Sequence, residues 1–556
     1  MSEAREINLA ALPRSLAHLA SVKSAAERVQ SSTSRDGSPN LVLRDGQRAI
    51  WLHSRYDPRR EAERLAAGVR SESVVVLGFG VGYHVEELAR RSLRVVVVEP
   101  DAELFASALA CRPMESLLKS DSICWCVGGD LAHTERFVLD CYLPALDGSL
   151  SVVSLPGRTS ANLHEFEGVR AAVARATERV KDDLATQARF ARAWTRNTLL
   201  NVASLHQFRR NPVPSLPDWS DRPAIVVAAG PSLADQLDWI ARRAGSHRVV
   251  ATDTAAPLLL ASGIRPDAVV SVDCQLATYQ HYRKPQCSDL DVYGELAMSP
   301  PLARMLPNLV PVASAHPLNN LLRMVGLPLT PIDASGGSVT HAAFSLACAM
   351  KTQRIVLAGT DFSYPHGETY PRGTYVHTLF SVAATRLNPS SARHAGFLFD
   401  RPGLVGDDTA PGRYLQPVLT RYRQTLERMA RETATPVEQL PGAGVPLDLP
   451  AATPPSYSGG DALMGGQTPQ LATQRSPRDV LGQIRDIVEP VDSPARMRLE
   501  ARGSNALRSQ AVLSMLPLAV QHQIVDAIAV DDALAAARND TLSLLDTALT
   551  LCRKDT

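Results

Sequence analysis

The turn Gly230-Pro231-Ser232 joins an apolar run, Ala224 to Ala229, to a segment with helical periodicity. Gly permits the tight turn and Pro231 opens a helix without wasting a donor. Ser232 adds a hydroxyl beside the N–H groups that a helix start leaves unpaired. Such a turn suits a nucleotide phosphate or sugar. Polar ends close three more apolar runs: Asp253 with Thr254, Asp273, and Thr360-Asp361. In a doubly wound sheet the carboxyl ends of the strands converge on the ligand crevice. Carboxylates there bind ribose hydroxyls, hold a divalent metal or cap helices. Ser335-Gly336-Gly337-Ser338 opens another helix and suits a second phosphate or carboxylate. Downstream, Tyr364, His366, Tyr370, Arg372, Tyr375 and His377 fall within 14 residues of a loop bearing Gly and Pro. Loops on a rigid sheet commonly carry function, and His377 and His366 are the candidate bases there.

A second glycine-rich turn, Gly78-Phe79-Gly80-Val81-Gly82, follows the buried-strand pattern Val74-Val75-Val76-Leu77. Glu99 closes the next strand, Val95 to Val98, where a ribose would bind. This arrangement fits a nucleotide or S-adenosylmethionine site, or a Rossmann-like domain without a ligand. His53 and Tyr56 precede a helix and read as capping or packing residues. The chain holds no GxxxxGK[ST], GxSxG or HExxH sequence, which weighs against P-loop ATPases, α/β-hydrolases and zincins.

The elements that must position these residues are strand–helix alternations. Residues 1–158 read as a Rossmann-like domain with a leading hairpin that turns at Asp45-Gly46. Residues 159–215 read as a helical connector, ending at NPVPSLPDWSDRP. Residues 216–440 form a second α/β unit with a closing helix at about 414–433. Residues 441–477, rich in Pro, Gly, Ser and Thr, read as a linker, and 478–556 show only helical periodicity. The fold class expected is α/β: two Rossmann-like domains joined by a long helical stretch, with an α-helical C-terminal region.

The chain has 556 residues and a net charge of +1, which argues against a protein that coats nucleic acid. Six of its 58 basic residues are lysine, a bias read as genomic rather than functional. No stretch offers 18 apolar residues for a membrane span, and the N-terminus lacks the apolar core of a secretory signal. The eight cysteines include one close pair, Cys124 and Cys126, spaced as on a strand. They read as reduced, mostly buried thiols of a cytoplasmic protein, without a zinc site.

In order and spacing, Ala228 to Leu233, Gly263-Ile264-Arg265-Pro266-Asp267, Ser271-Val272-Asp273, Ser335 to His341 and Gly359-Thr360-Asp361-Phe362 resemble the central domain of the motility accessory factor (Maf) flagellin glycosyltransferases. Leu52 to Pro58 and the Trp194, Asn197, Asn201 helix continue the resemblance, which covers roughly 40–450. It implies transfer of a nonulosonic acid, such as pseudaminic or legionaminic acid, from its CMP conjugate to Ser/Thr hydroxyls of flagellin. It implies a central domain similar to one class of bacterial sialyltransferases. In that class the turns matching Gly230-Pro231-Ser232 and Ser335-Gly336 hold CMP, two tyrosines contact its phosphate, and a lid histidine is the base. Tyr370 fits the second tyrosine. Ser363 stands at the aromatic position, with Tyr364 one step later. His377, aided by Tyr370 and Arg372, is the expected catalytic centre. Gly230, Pro231, Ser232, Asp253, Thr254, Asp273, Ser335, Gly336, Gly337, Asp361 and Tyr364 are the expected donor-binding residues. Inversion is expected, with no required cofactor; a divalent metal would sit at the strand-end aspartates. The central motif is also shared with an archaeal-type 6-hydroxymethylpterin pyrophosphokinase, which would use ATP and Mg²⁺. A methyltransferase acting through Gly78–Gly82 and Glu99, and a non-catalytic flagellin-binding assembly factor, are the other readings.

Overall fold

A computed structural model of the chain describes residues 3–25, 28–45, 48–92, 94–207, 216–283, 287, 289–449 and 475–554. They divide into two compact units, 1–189 with 516–537 and 190–515 with 538–556. Its boundaries fall inside three helices: Leu163–Ala203, within the expected connector, Ala506–Val525 and Val530–Lys554.

In the first unit, β1 (Val29–Thr33), β2 (Pro39–Asp45) and β3 (Arg48–Trp51) form an antiparallel sheet. The expected hairpin is therefore three-stranded. The polar run around Ser31-Ser32 pairs along its whole length with Pro39–Leu43, because an edge strand needs only one buried face. The turn at Gly46 lies outside the described residues. Next come β4 (Ser73–Leu77), β5 (Arg94–Glu99), β6 (Ile123–Val127) and β7 (Leu150–Ser154), all parallel, in the order β6-β5-β4-β7. The valine runs of β4 and β5 are fully buried because helices cover both faces of a parallel sheet. The order reverses between β4 and β7, which places the ligand crevice of this fold at Gly78–Gly82.

The second unit is built on eight parallel strands: β8 (Ala224–Val227), β9 (Arg248–Thr252), β10 (Ala268–Ser271), β11 (Val292–Glu295), β12 (Leu309–Ala313), β13 (Thr330–Pro331), β14 (Ile355–Ala358) and β17 (Val437–Gln439). Their order is β13-β12-β11-β10-β9-β8-β14-β17. Here the reversal lies between β8 and β14, so Gly230 and Gly359 face each other across the crevice. A small ribbon of β15 (Val405–Gly406) and β16 (Tyr414–Leu415) precedes the helix Pro417–Glu432. That helix starts three residues later than expected because Tyr414 pairs with Tyr364 and Pro417 sets the first turn.

The expected linker also begins later. Leu440 N–H donates to Leu357 O and Val445 N–H to Asp361 O, while Leu447 and Leu449 pack on the second core. Residues 450–474 lie outside the described ones. The C-terminal region is helical, as expected: Pro477–Val488, Pro494–Ala501, Ala506–Val525 and Val530–Lys554. None of the eight cysteines is part of a disulfide. Among the described residues no helix is long and apolar enough to cross a membrane.

Candidate functional site

The crevice of the first unit is filled by its own side chains. Gly78, Gly80 and Gly82 all have positive φ, so the turn needs glycine for its backbone. It needs glycine for its contacts as well. A Cβ on Gly78 would meet Arg158 Cγ at 2.7 Å, and one on Gly80 would meet His53 Nε2 at 2.6 Å and Leu155 at 2.7 Å. His53 Nε2 accepts the Val81 N–H at 2.9 Å, which fixes its tautomer and makes Nδ1–H the donor to Glu61 at 3.2 Å. Burial holds this imidazole below its ordinary pKa, so it stays neutral. Glu99 accepts N–H groups from Phe79 and Asp101 and receives Arg158, from the helix Pro156–Ala161 that follows β7, at 2.7 Å. Both partners of that ion pair are fully buried. The carboxylate that would take a ribose is thus committed to a guanidinium, and the turn that would approach a phosphate is capped by an imidazole.

An expected result follows. S-adenosylmethionine or NAD at millimolar concentration moves no thermal transition of the protein by more than about 1 °C, whereas a ligand at about 100 times its dissociation constant contributes roughly 2.7 kcal/mol. Gly80→Ala lowers the melting temperature, because its φ of +57° and the His53 ring both oppose a side chain. Calorimetry checks both.

In the second unit the Gly230-Pro231-Ser232 turn is closed on the neighbouring strand end. Asp361 Oδ2 accepts the Ser232 N–H at 3.0 Å, and its other oxygen accepts the Ser232 hydroxyl. That hydroxyl accepts the Ala443 N–H at 2.8 Å. Gly230 N–H donates to Gly359 O, Leu233 N–H to Gly230 O and Ala234 N–H to Pro231 O. The open N–H groups expected here are therefore engaged within the protein. A side chain on Gly230 would strike Asp361 Oδ2 at 2.2 Å and Gly359 O at 2.4 Å, so glycine is required by close approach. Gln236 ties the same point together: its Oε1 accepts the Gly359 N–H and its Nε2 donates to Pro441 O, both at 2.8 Å.

A second group of ionisable side chains lies one and two strands away. Asp253, at the end of β9, is fully buried, and burial raises its carboxyl pKa. Its oxygens accept Thr254 N–H at 2.7 Å and Ser271 Oγ–H at 2.9 Å. His281, on the turn Leu276–Tyr282, lies 3.4 Å from Thr254 Oγ1 and edge-on to Tyr375, with ring centroids 4.6 Å apart. Burial lowers its pKa, opposed by Asp253 and Asp273. Asp273 accepts Gln275 N–H at 2.9 Å. Tyr370 is held protonated by burial and senses Arg401, Tyr375, Asp253 and Asp273. Asp253, Thr254, Asp273 and Tyr370 thus converge as expected, joined by His281, Tyr375 and Arg401. Asp361 does not join them, so the three strand-end aspartates are not one cluster. Among the described residues no group of three His, Cys, Asp or Glu is placed to hold a metal.

The other expected residues occupy neighbouring positions. Ser335 N–H and hydroxyl both donate to Asp333 Oδ1. Gly336 lies against His341, where a Cβ would come within 2.2 Å of the ring, and Gly337 has a φ of +78° beside Tyr422. Ser338 caps the helix Val339–Ala349 through the Thr340 N–H. Tyr364 points inward, donating from its phenol to Gln416 at 2.8 Å under the Arg401 guanidinium. Arg372 is exposed. His377, on the helix Tyr375–Val382, bonds through Nε2 to Tyr370 O at 3.0 Å. That bond makes Nε2–H the donor and leaves Nδ1 as a proton acceptor. Its ring lies 4.2 Å from that of His394. His281 escaped the sequence reading because it belongs to no motif. The only signal was an aromatic cluster, Tyr279-Gln280-His281-Tyr282, just past a strand-end aspartate.

Residues 196–367 match the family model described as 6-hydroxymethylpterin diphosphokinase MptE-like. Two uncharacterized proteins of Treponema pallidum (strain Nichols) are similar in sequence. One is 29% identical over 218 residues, 38% of this chain and 71% of the relative. The other is 29% identical over 147 residues, 26% of this chain and 68% of the relative. The Maf glycosyltransferase from Magnetospirillum magneticum AMB-1 superposes with a TM-score of 0.59 at 13% identity, over 99% of this chain and 96% of that one. The chain thus carries an MptE-like domain and has the fold of that Maf glycosyltransferase along its length.

Proposed function

We propose that this chain is a cytoplasmic glycosyltransferase that moves a nonulosonic acid from its CMP conjugate to Ser or Thr hydroxyls of flagellin. One observation carries the reading. Of two crevices with nucleotide-site topology, the first is filled from within, while the second gathers carboxylates, phenols and histidines at its strand ends. The fold shared with a Maf glycosyltransferase supports the same reaction class.

The residues have distinct tasks in this reading. Tyr370 and Arg401 face the phosphate that gains charge as the glycosidic C–O bond to CMP breaks. The turn Ser335-Gly336-Gly337, at a helix start, holds the nucleotide's other end. Asp253, Thr254 and Asp273 accept and donate to hydroxyls of the ribose or sugar. His377 Nδ1 takes the proton from the acceptor hydroxyl as its oxygen bonds to the anomeric carbon, and CMP leaves with the electron pair. The Tyr370 carbonyl fixes the ring that does so.

The experiment is incubation of the protein with CMP-pseudaminic or CMP-legionaminic acid and flagellin, read by intact mass. Addition of one or more sugar masses is expected, with EDTA without effect and His377→Ala reduced by about 10²–10⁴-fold. The matched MptE-like model supports a second reading, ATP-dependent pyrophosphoryl transfer to a pterin alcohol. Formation of AMP and a pterin diphosphate, with no sugar transfer, would replace the first reading by it.

A further inference from the structure

The carboxyl ends of β11 and β12 carry a polar group that the proposed reaction leaves unused. Glu295 closes β11 and is buried, which pushes its carboxyl pKa up. Its Oε1 accepts Ser314 Oγ–H and Asn319 Nδ2–H at 2.5 and 2.8 Å. His316 caps the helix Pro317–Met324, its Nδ1 accepting the Leu318 N–H at 3.2 Å. The proton of this imidazole is therefore on Nε2, and burial lowers its pKa to about 4, so it is neutral. Among the described residues that buried Nε2–H meets no acceptor, and the buried Asn319 Oδ1 meets no donor. A half-buried indole, Trp194, stands edge-on to His316 at 5.6 Å.

A packed core pairs its buried polar atoms. Here, among the described residues, one donor and one acceptor stay unmatched within the first turn of one helix, beside an aromatic wall. A hydroxyl both donates and accepts, so sugar hydroxyls have the chemistry that such groups lack. The surroundings are also held rigid. Asn197 Nδ2 donates to Cys274 O and Ala297 O, and Asn201 Nδ2 to Leu296 O and Met298 O, pinning the loops that follow β10 and β11. Rigid supports of this kind suit a binding site. Neighbouring strands lie about 4.8 Å apart. From Asp253 on β9 to Ser314 past β12 is three strands, roughly 14 Å, which matches the span of a nucleotide joined to a sugar.

We propose that Trp194, Glu295, Ser314, His316 and Asn319 form a saccharide subsite that takes the hydroxyls of the donated sugar, beside the Asp253–Asp273 group. This deepens the glycosyltransferase reading and rests on it for the identity of the sugar.

Saturation-transfer NMR tests it on the full-length protein, with free N-acetylneuraminic acid at millimolar concentration and CMP in a parallel sample. The expected result is transfer to the sugar protons in the wild type, reduced at least fivefold in Trp194→Ala and His316→Ala. His316→Gln, which keeps an N–H donor, retains most of the signal, and CMP affinity stays within twofold throughout. Trp194→Phe, which keeps an aromatic wall, replaces the alanine variant if that one loses its folded spectrum. Sugar binding without CMP binding would leave the subsite standing and remove the CMP donor. CMP binding with no sugar signal, or with a signal indifferent to these variants, would overturn the subsite alone. Binding of neither would overturn both.

Discussion

Arg158→Met lowers the stability of the first unit by about 3–5 kcal/mol, the loss expected when one partner of a buried ion pair is removed. The guanidinium is fully buried and supplies three contacts to Glu99, from 2.7 to 3.2 Å. Without it the carboxylate keeps only the N–H groups of Phe79 and Asp101, while burial still opposes its charge. The sign of the pH dependence follows. Glu99 ionises near 4.5 in the unfolded chain, and in the folded variant its pKa is raised. The folded state then holds a proton that the unfolded state has released. The deficit therefore grows as pH rises above 4.5 and shrinks as pH falls towards it. The double variant Glu99→Gln, Arg158→Met buries no charge and recovers most of the loss. Thermal denaturation of the wild type and the two variants between pH 5 and 8 checks this; equal deficits in the single and double variants would contradict it.

Asp361→Ala has the second large effect, on function more than on stability. Its carboxylate holds the Ser232 N–H and hydroxyl, and through Ser232 the Ala443 N–H. Truncation leaves buried donors unmatched, at about 1–3 kcal/mol each. It also frees the turn after β8 from the end of β14, the two sides of the crevice. Misplacement of about 1 Å costs on the order of 10²-fold in rate, so sugar transfer is expected to fall by at least that factor. Asp361→Asn keeps one acceptor for the Ser232 N–H, and its amide can donate to the Ser232 oxygen. It should retain within about tenfold of the activity. Rate measurements on the two variants, with melting temperatures alongside, distinguish loss of the crevice from loss of fold.

The strand–helix alternation was legible because parallel strands buried on both faces read as unbroken apolar runs, as in β4, β5 and β8. The strand ends were legible too, since Asp253, Asp273 and Asp361 interrupt such runs. What each aspartate does was not legible. Asp253 and Asp273 face phenols and an imidazole, while Asp361 turns to Ser232, 129 residues away in the chain. That choice is made by the sheet order, which sets β14 beside β8, and no local pattern carries it. The same cause hid Arg158, which reads as an ordinary residue of a helix start yet fills the first crevice. His281 meets Tyr375, and Trp194 meets His316, through packing between segments distant in sequence.

A crevice filled by its own residues has a metabolic consequence. A Rossmann domain with an open site couples its protein to the cell's adenylate, nicotinamide or methyl-donor pools, whether or not it does chemistry with them. With His53, Leu155 and Arg158 packed against the Gly78–Gly82 turn, those pools are expected to find no entry there. Under the proposed function, the reaction's pace would be set by the supply of one activated sugar and one acceptor. It would ignore swings in energy charge that perturb enzymes with an accessible nucleotide cleft.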